Sequence, residues 1–266
     1  MQKHAEIAPS TAELRASPEE RRRWLLDRLG REGRLVAAAL AQELDTSEDT
    51  IRRDLRELAA AGLVQRVHGG ALPPSPGPLP FAARRERASE AKERLAAAAL
   101  DLVRDGQLLL LDGGTTNLAF ARRLPPALRL TLVTPSPAVA MALEEHPNVE
   151  VVLLGGRLDR ASQDVVGGQA LEMVRGLRAD LCLLGVCSLA AGTGVTVTGY
   201  EEAELKRAMV ASAGEVAALV TAEKLGTAAP FVVGAADILH HLITERAAPA
   251  PLVAELENHG IAVRSA

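Results

Sequence analysis

The sequence predicts an α/β chain in two parts: a small N-terminal winged helix-turn-helix, and a larger C-terminal domain built on a mostly parallel sheet. Three observations predict it. Two short helical patterns, residues 35–44 and the stretch opening at Ser47, meet across only Asp45 and Thr46, a spacing at which two helices cross steeply. The run LPPSPGPLP at residues 72–80 can continue neither helix nor sheet and marks a boundary. Beyond it, apolar runs at residues 108–111, 130–134, 149–154, 180–186, 216–221 and 238–244 alternate with helical patterns, the order of a parallel sheet covered on both faces. The expected domains are residues 18–72 (helix-turn-helix at 35–54), a linker at 73–85, and 86–246 closed by a helix and strand at 247–266.

Residues 21–29 (RRRWLLDRL) read as a helix that supplies Trp24, Leu25 and Leu29 to a small core, and residues 35–44 add Val36, Leu40 and Leu44. Ser47 stands where a helix N-cap belongs, with Glu48 and Asp49 in the first turn, where the helix dipole favours negative charge. Ile51, Leu55 and Leu58 fall at i, i+4 and i+7 and form one apolar stripe. The other face carries Thr50, Arg52, Arg53 and Arg56. Gly62 ends the helix, as a left-handed cap favours. Residues 63–67 then alternate like a strand, and His68-Gly69-Gly70 makes a turn. Residues 86–103 (ERASEAKERLAAAALDLV) read as one long amphipathic helix opening the second domain.

Hydrophobic content of 48% in 266 residues suffices for packed cores. No apolar run approaches the ~18 residues of a membrane span, and the polar opening MQKHAEIAPSTAELRASPEE lacks a signal-peptide apolar core, so a cytoplasmic protein is expected. Cys182 and Cys187 are expected as buried thiols. No cofactor or metal is expected: there is no dinucleotide fingerprint or nucleophile elbow, and His146, His240 and His241 lack ligand spacing. Net charge is −4, and residues 1–70 hold 12 Lys and Arg against 12 Asp and Glu, so no bulk basic signature exists. The cations are arranged locally instead: Arg21, Arg22, Arg23, Arg28, Arg31 and Arg34 before the helix pair, then Arg52, Arg53, Arg56 and Arg66. The alternative is a solvated surface with Arg52 and Arg56 paired to Glu48 and Asp49.

In open α/β sheets ligands sit beyond the carboxyl ends of the strands. Asp112-Gly113-Gly114-Thr115-Thr116-Asn117 follows LLLL directly and precedes a helical pattern, an arrangement of amides and hydroxyls that suits an anion. Thr134-Pro135-Ser136, Gly155-Gly156-Arg157, Asp164-Val165-Val166-Gly167, the stretch 193–204 leading to Lys206, and Lys224 recur at later strand ends. Lysines arriving at such a loop suit a dianionic phosphate.

TIRRDLRELAAAGLVQRVHGGA resembles the signature of the DeoR family of bacterial repressors, which runs through TIRRDL to a terminal Arg-x-His-Gly-Gly-Ala. The likeness continues through LLLLDGGTTNLAFARRL, LTLVTPSPAVAMAL, VEVVLLGGRLD, VVGGQALEMV, DLCLLGV, GVTVTGYEEAELKRAM and VTAEKLG, over roughly 240 residues. The resemblance implies a sensor fold similar to ribose-5-phosphate isomerases and CoA transferases that responds to phosphorylated sugars or related metabolites. Asp112, Gly113, Gly114, Thr115, Thr116, Gly155, Gly156, Glu202, Lys206 and Lys224 are then expected to bind the effector. The chain departs from the family in having Asp45-Thr46 in the turn, Thr134-Pro135-Ser136 for Thr-Asn-Ser, Val220-Thr221-Ala222 ahead of Lys224, and Glu245 in place of a late aspartate.

Three functions are weighed. The first is a DNA-binding repressor, acting as a homo-oligomer (dimer or tetramer) on double-stranded operator DNA and released by a phosphorylated sugar. Ser47, Thr50, Arg52, Arg53, Arg56, Arg66 and His68 would contact bases or phosphates. The second is a sugar-phosphate isomerase-like enzyme fused to a DNA-targeting domain, with Asp112, a carboxylate at 201, 202 or 204 and a lysine at 206 or 224 as acid, base and electrophile. The third is a winged helix serving protein assembly. The arginine face and the helix spacing favour the first, with no enzymatic turnover.

Overall fold

The computed structural model describes residue 14, residues 17–76 and residues 79–266; most of the polar opening, and Gly77 and Pro78 of the expected linker, lie outside them. The chain separates into two compact units, one ending at Pro74 and the other beginning at Ser75.

The first unit runs α1 (Pro18–Glu32), β1 (Leu35–Val36), α2 (Ala37–Glu43), α3 (Glu48–Ala60), β2 (Gln65–Val67) and β3 (Gly70–Leu72). Leu25, Leu29, Leu40, Leu44, Ile51, Leu55 and Leu58 pack into one core, with Trp24 half-buried against it. The tight α2–α3 turn is possible because Asp45 takes φ +46°, a left-handed backbone that aspartate tolerates better than most residues. The sequence predicts helix from residue 35; the first two residues instead form β1, which pairs with the wing as Leu35↔Ala71 and Val36↔Gly70. The approach is so close that a Cβ on Gly70 would lie 1.8 Å from the Leu35 carbonyl oxygen. Glycine is therefore obligatory at this point of the wing.

The second unit begins with α4 (Phe81–Glu86), which stands where the sequence predicts linker, and α5 (Ser89–Ala99), followed by a 3-10 turn at Leu100–Leu102. The single helix expected over 86–103 is thus broken, with Ala88 at φ +52° between its two pieces. Then come β4 (Leu108–Leu111), α6 (Thr115–Ala121), β5 (Leu130–Thr134), α7 (Pro137–Ala142), β6 (Val149–Leu153), β7 (Arg157–Leu158), β8 (Val165–Val166), α8 (Gly168–Arg175) and β9 (Ala179–Leu184). They are followed by β10 (Ser188–Ala190), β11 (Gly194–Val197), α9 (Tyr200–Ala211), β12 (Ala213–Val220), β13 (Phe231–Gly234), β14 (His241–Thr244), α10 (Ala250–Glu257) and β15 (Ala262–Ser265).

Seven strands form the main sheet in the order β15-β14-β12-β9-β4-β5-β6, every pair parallel. Successive side chains on a strand point to opposite faces, which is why the buried strands read as unbroken apolar runs. Leu109, Leu111, Leu181, Leu183, Leu219 and Ile243 join one core, while Leu110, Cys182, Leu184, Val220 and Leu242 join the other. Strand order reverses between β4 and β9: the chain moves outward through β5 and β6, then returns to β9 and leaves the other way. Crevices open at such switch points. A small antiparallel sheet, β10-β11-β13, which periodicity does not reveal, rises beside it.

Candidate functional site

In the first unit the reading helix is α3. The Ser47 hydroxyl accepts the Thr50 amide at 3.1 Å and lies 2.9 Å from the Thr50 hydroxyl, so both side chains hold the helix start. Arg52 pairs with Glu48 at 2.6 Å, one turn earlier. An exposed pair of this kind is worth only ~0.3–0.5 kcal/mol, so phosphate can displace it. Arg53, Arg56, Arg66 and His68 are all exposed. Among the described residues, Arg53, Arg56 and Arg66 make no ion pair, so their charge is open to a polyanion.

The motif TIRRDL divides by face. Arg52 and Arg53 point out, whereas Asp54 is buried and its Oδ2 accepts from Arg21 Nε at 2.5 Å. Arg21 also donates to the Leu14 carbonyl at 2.9 Å. Sequence reasoning counts Arg21 among the surface cations; it is instead an internal brace between α1 and α3. Only the apolar spacing on both sides of Asp54 hinted at burial.

In the second unit the switch point opens into a cavity of about 390 Å³, within the size range of small-molecule sites. Its lining includes Gly113, Gly114, Thr115, Thr116, Glu202, Lys206 and Lys224. Asp112, just behind them, accepts the amides of Gly113 at 2.8 Å and Gly185 at 2.7 Å and an ion pair from Lys206. Lys206 also lies 3.5 Å from Glu202. Burial alone would lower the lysine's pKa, but Asp112, Glu202 and Asp164 more than offset it and hold the ammonium above its ordinary range. The sequence predicts Lys206 as a phosphate ligand. It sits in the cavity, but its charge is already met by carboxylates. Gly155 and Gly156 lie outside the lining and lead into β7.

Asp164 and Asn117, which the sequence places in strand-end loops without a role of their own, also line the cavity. Asp164 is 5% exposed, and its Oδ1 makes no well-formed hydrogen bond among the described residues, although the Ser136 hydroxyl lies beside the carboxyl. Burial, then the neighbouring Asp112 carboxylate, pushes its pKa up to about 7. A Cβ on Gly113 would fall 1.8 Å from this oxygen, so the Gly-Gly pair makes room for a carboxyl. Asn117 holds the loop by donating to the carbonyls of Asp112 and Leu183, both at 3.1 Å.

Four cations close the far side. Arg84 donates to the carbonyls of Ala161 at 3.0 Å and Ser162 at 3.2 Å, and Arg87 pairs with Glu223 at 2.6 Å. Lys92 is buried against the carbonyls of Arg84 and Arg87. Lys224 donates to Val186 at 2.7 Å. Burial, then repulsion from Lys224, lowers Lys92 to about 8. Lys224 was expected here from its strand-end position and the family resemblance; for the other three the only signal in the sequence was the cluster Arg84, Arg85, Arg87 and Lys92 at and just past the end of the expected linker. Cys182 and Cys187 are free thiols, raised in pKa by burial and so unreactive.

A winged helix-turn-helix followed by an α/β unit with a polar cavity at its switch point defines a DNA-reading head coupled to a small-molecule domain. The chain belongs to the DeoR family of transcriptional regulators: residues 21–76 match the DeoR-like helix-turn-helix domain and residues 87–246 the DeoR C terminal sensor domain. It is 33% identical to the HTH-type transcriptional regulator GlpR of Haloferax volcanii over 92% of this chain and 97% of that one. It is 30% identical to the regulator GolR of Listeria innocua over 94% and 99%. The glycerol-3-phosphate regulon repressor of Escherichia coli is 29% identical over 91% and 96%. Among solved structures, a probable sor operon regulator from Shigella flexneri aligns with 64% of this chain and 89% of its own at TM-score 0.43 and 11% identity. Ribose 5-phosphate isomerase A of Methanocaldococcus jannaschii aligns with 51% and 54% at TM-score 0.38 and 19% identity. Among the described residues no helix is long and apolar enough to cross a membrane.

Proposed function

We propose that the chain represses a carbohydrate-metabolism operon in the cytoplasm, binding operator DNA as a homo-oligomer and releasing it when a phosphorylated sugar or related metabolite fills the sensor cavity. One observation carries the effector class: a single cavity combines cations that make no ion pair among the described residues (Arg84, Lys92, Lys224) with the buried carboxylates Asp164 and Glu202, Asp112 lying just behind them. A purely apolar ligand would leave the cations and Asp164 unmatched, and burying unpaired polar groups is costly. A small molecule with an anion at one end and hydroxyls at the other matches both. The names of relatives, a glycerol-3-phosphate regulon repressor among them, agree with that class.

The domain acts as a receptor without turnover. Asp112, Glu202 and Lys206 have the residue types of acid–base chemistry, but they are ion-paired to one another, which suits recognition of hydroxyls. Purified protein is to be screened against phosphorylated sugars and their unphosphorylated parents by thermal shift, and each hit incubated and re-analysed by phosphorus NMR. Stabilisation by phosphorylated compounds alone, with the compound recovered unchanged, supports the reading. Stabilisation by the neutral sugars alone contradicts the effector class, and conversion to an isomer contradicts the receptor role.

A further inference from the structure

We propose that the anion of the effector is bound not by Lys206 but by the strap that enters the second unit, through Arg84, Arg87 and Lys92, together with Lys224. This deepens the proposed function and rests on it. The two poles of the cavity differ in charge. Around Lys206 stand Asp112, Glu202 and Asp164, three carboxylates to one ammonium, and such a pole repels a dianion. At the other pole Arg84, Arg87, Lys92 and Lys224 face Glu223, which is paired with Arg87. Cations that repel one another in a half-buried wall are relieved by an anion among them.

Two buried side-chain atoms show how a ligand would lie. Arg84 Nε is buried and makes no hydrogen bond among the described residues, while its Nη2 is anchored to the 161–162 carbonyls, so the remaining edge of the guanidinium is oriented in advance. Beside Lys206, Asp164 Oδ1 makes no well-formed hydrogen bond among the described residues, with the Ser136 hydroxyl next to the carboxyl, and suits a ligand hydroxyl. The occupant is therefore a phosphate-bearing polyol, its phosphate on the strap and its hydroxyls toward Asp164.

The strap's place in the chain gives this consequence. α4 starts seven residues after Pro74, where the first unit ends. Phe81 packs α4 against the core and Lys92 donates to the Arg84 and Arg87 carbonyls, while the strap's remaining ties are weak and exchangeable: the Arg84 carbonyl accepts from Thr115 at 3.4 Å, and Arg87 meets Glu223 at a half-exposed pair. An anion bridging Arg84 and Lys92 to Lys224 would fasten the connecting segment to the sheet, so occupancy would be felt first by the chain that leads to the reading head.

The test uses full-length protein and inorganic phosphate as probe, with chloride at matched ionic strength as control. Thermal shift is followed for wild type, Arg84→Gln, Lys224→Met and Asp164→Asn, and hydrogen exchange for wild type. Phosphate should stabilise wild type and Asp164→Asn alike, stabilise Arg84→Gln and Lys224→Met at least tenfold more weakly in concentration, and slow exchange across residues 81–92. A full response in both cation variants, or protection confined to residues 112–117, overturns the subsite while leaving the phosphorylated effector standing. If a cation variant does not fold, the exchange pattern of wild type decides alone. Absence of any response in wild type, to phosphate and to every phosphorylated sugar, overturns both.

Discussion

Replacing Asp54 by Ala should unfold the reading head while sparing the sensor unit. Asp54 and Arg21 are 2% and 4% exposed and meet at 2.5 Å, so the substitution leaves a buried guanidinium facing a methyl group. Breaking a buried pair from one side costs ~3–5 kcal/mol, whereas replacing both members by apolar residues is often neutral. A domain's whole stability is ~5–15 kcal/mol, and a unit of this size sits near the lower end. The loss therefore approaches the total. The chain has a single tryptophan, Trp24, on α1 with Arg28 stacked 5.4 Å from its ring, so its fluorescence in the intact protein reports the reading head alone. Urea titration should show the Trp24 transition displaced by ~3–5 kcal/mol or absent at zero urea, with far-ultraviolet dichroism still dominated by a folded second unit. The double variant Arg21→Met/Asp54→Leu should recover most of the loss. A displacement under about 1 kcal/mol for Asp54→Ala, or no recovery in the double variant, refutes the brace.

Other outcomes follow from the same geometry. Leu55 is 2% exposed in the reading-head core, so Leu55→Ala should cost roughly 2–5 kcal/mol in the same fluorescence titration; no shift there means α3 is phased otherwise. Arg53→Ala should weaken binding by about 1–3 kcal/mol if the side chain reads a base, or reduce the salt slope by about 1 if it holds phosphate, and unchanged mobility-shift titrations at two salt concentrations refute both. Asp164, raised to about 7 from an unfolded value of 3.8, contributes stability that is fully present below pH 3.8 and lost as pH rises through 7. Asp164→Asn should accordingly melt well above wild type at pH 8, by on the order of 4 kcal/mol at most, with the gap narrowing steadily as pH falls from 7 towards 3.8; a difference independent of pH rejects the shift.

Much of the architecture was legible because it rests on local rules. The N-cap at Ser47, the stripe Ile51-Leu55-Leu58 and the apolar runs of β4, β9 and β12 are each set by spacing within one element. The misses are long-range. β1 forms only because the wing comes back to Leu35 and Val36, a pairing over some 35 residues in sequence. The break at Ala88 places Lys92 under Arg84 and Arg87, which helix periodicity does not anticipate. In the site, loop position pointed to Asp112 and Thr115 and the family resemblance to Glu202, but no local pattern says that Lys206 is neutralised by Asp112 or that Asp164 meets Gly113. Gly155 and Gly156, read as cavity glycines, turn out to serve the entry into β7.

The central claim is that effector in the sensor cavity lowers affinity for operator, and operator binding measured with and without effector tests it most directly. Fluorescence anisotropy of a duplex selected from random sequence by the full-length protein gives the operator Kd alone and with a saturating phosphorylated thermal-shift hit. Coupling of ~1–3 kcal/mol, a loss of about 5–150-fold, is expected, and calorimetry must show operator weakening effector binding by the same factor. An operator Kd that stays constant while calorimetry shows the sensor fully occupied contradicts the account.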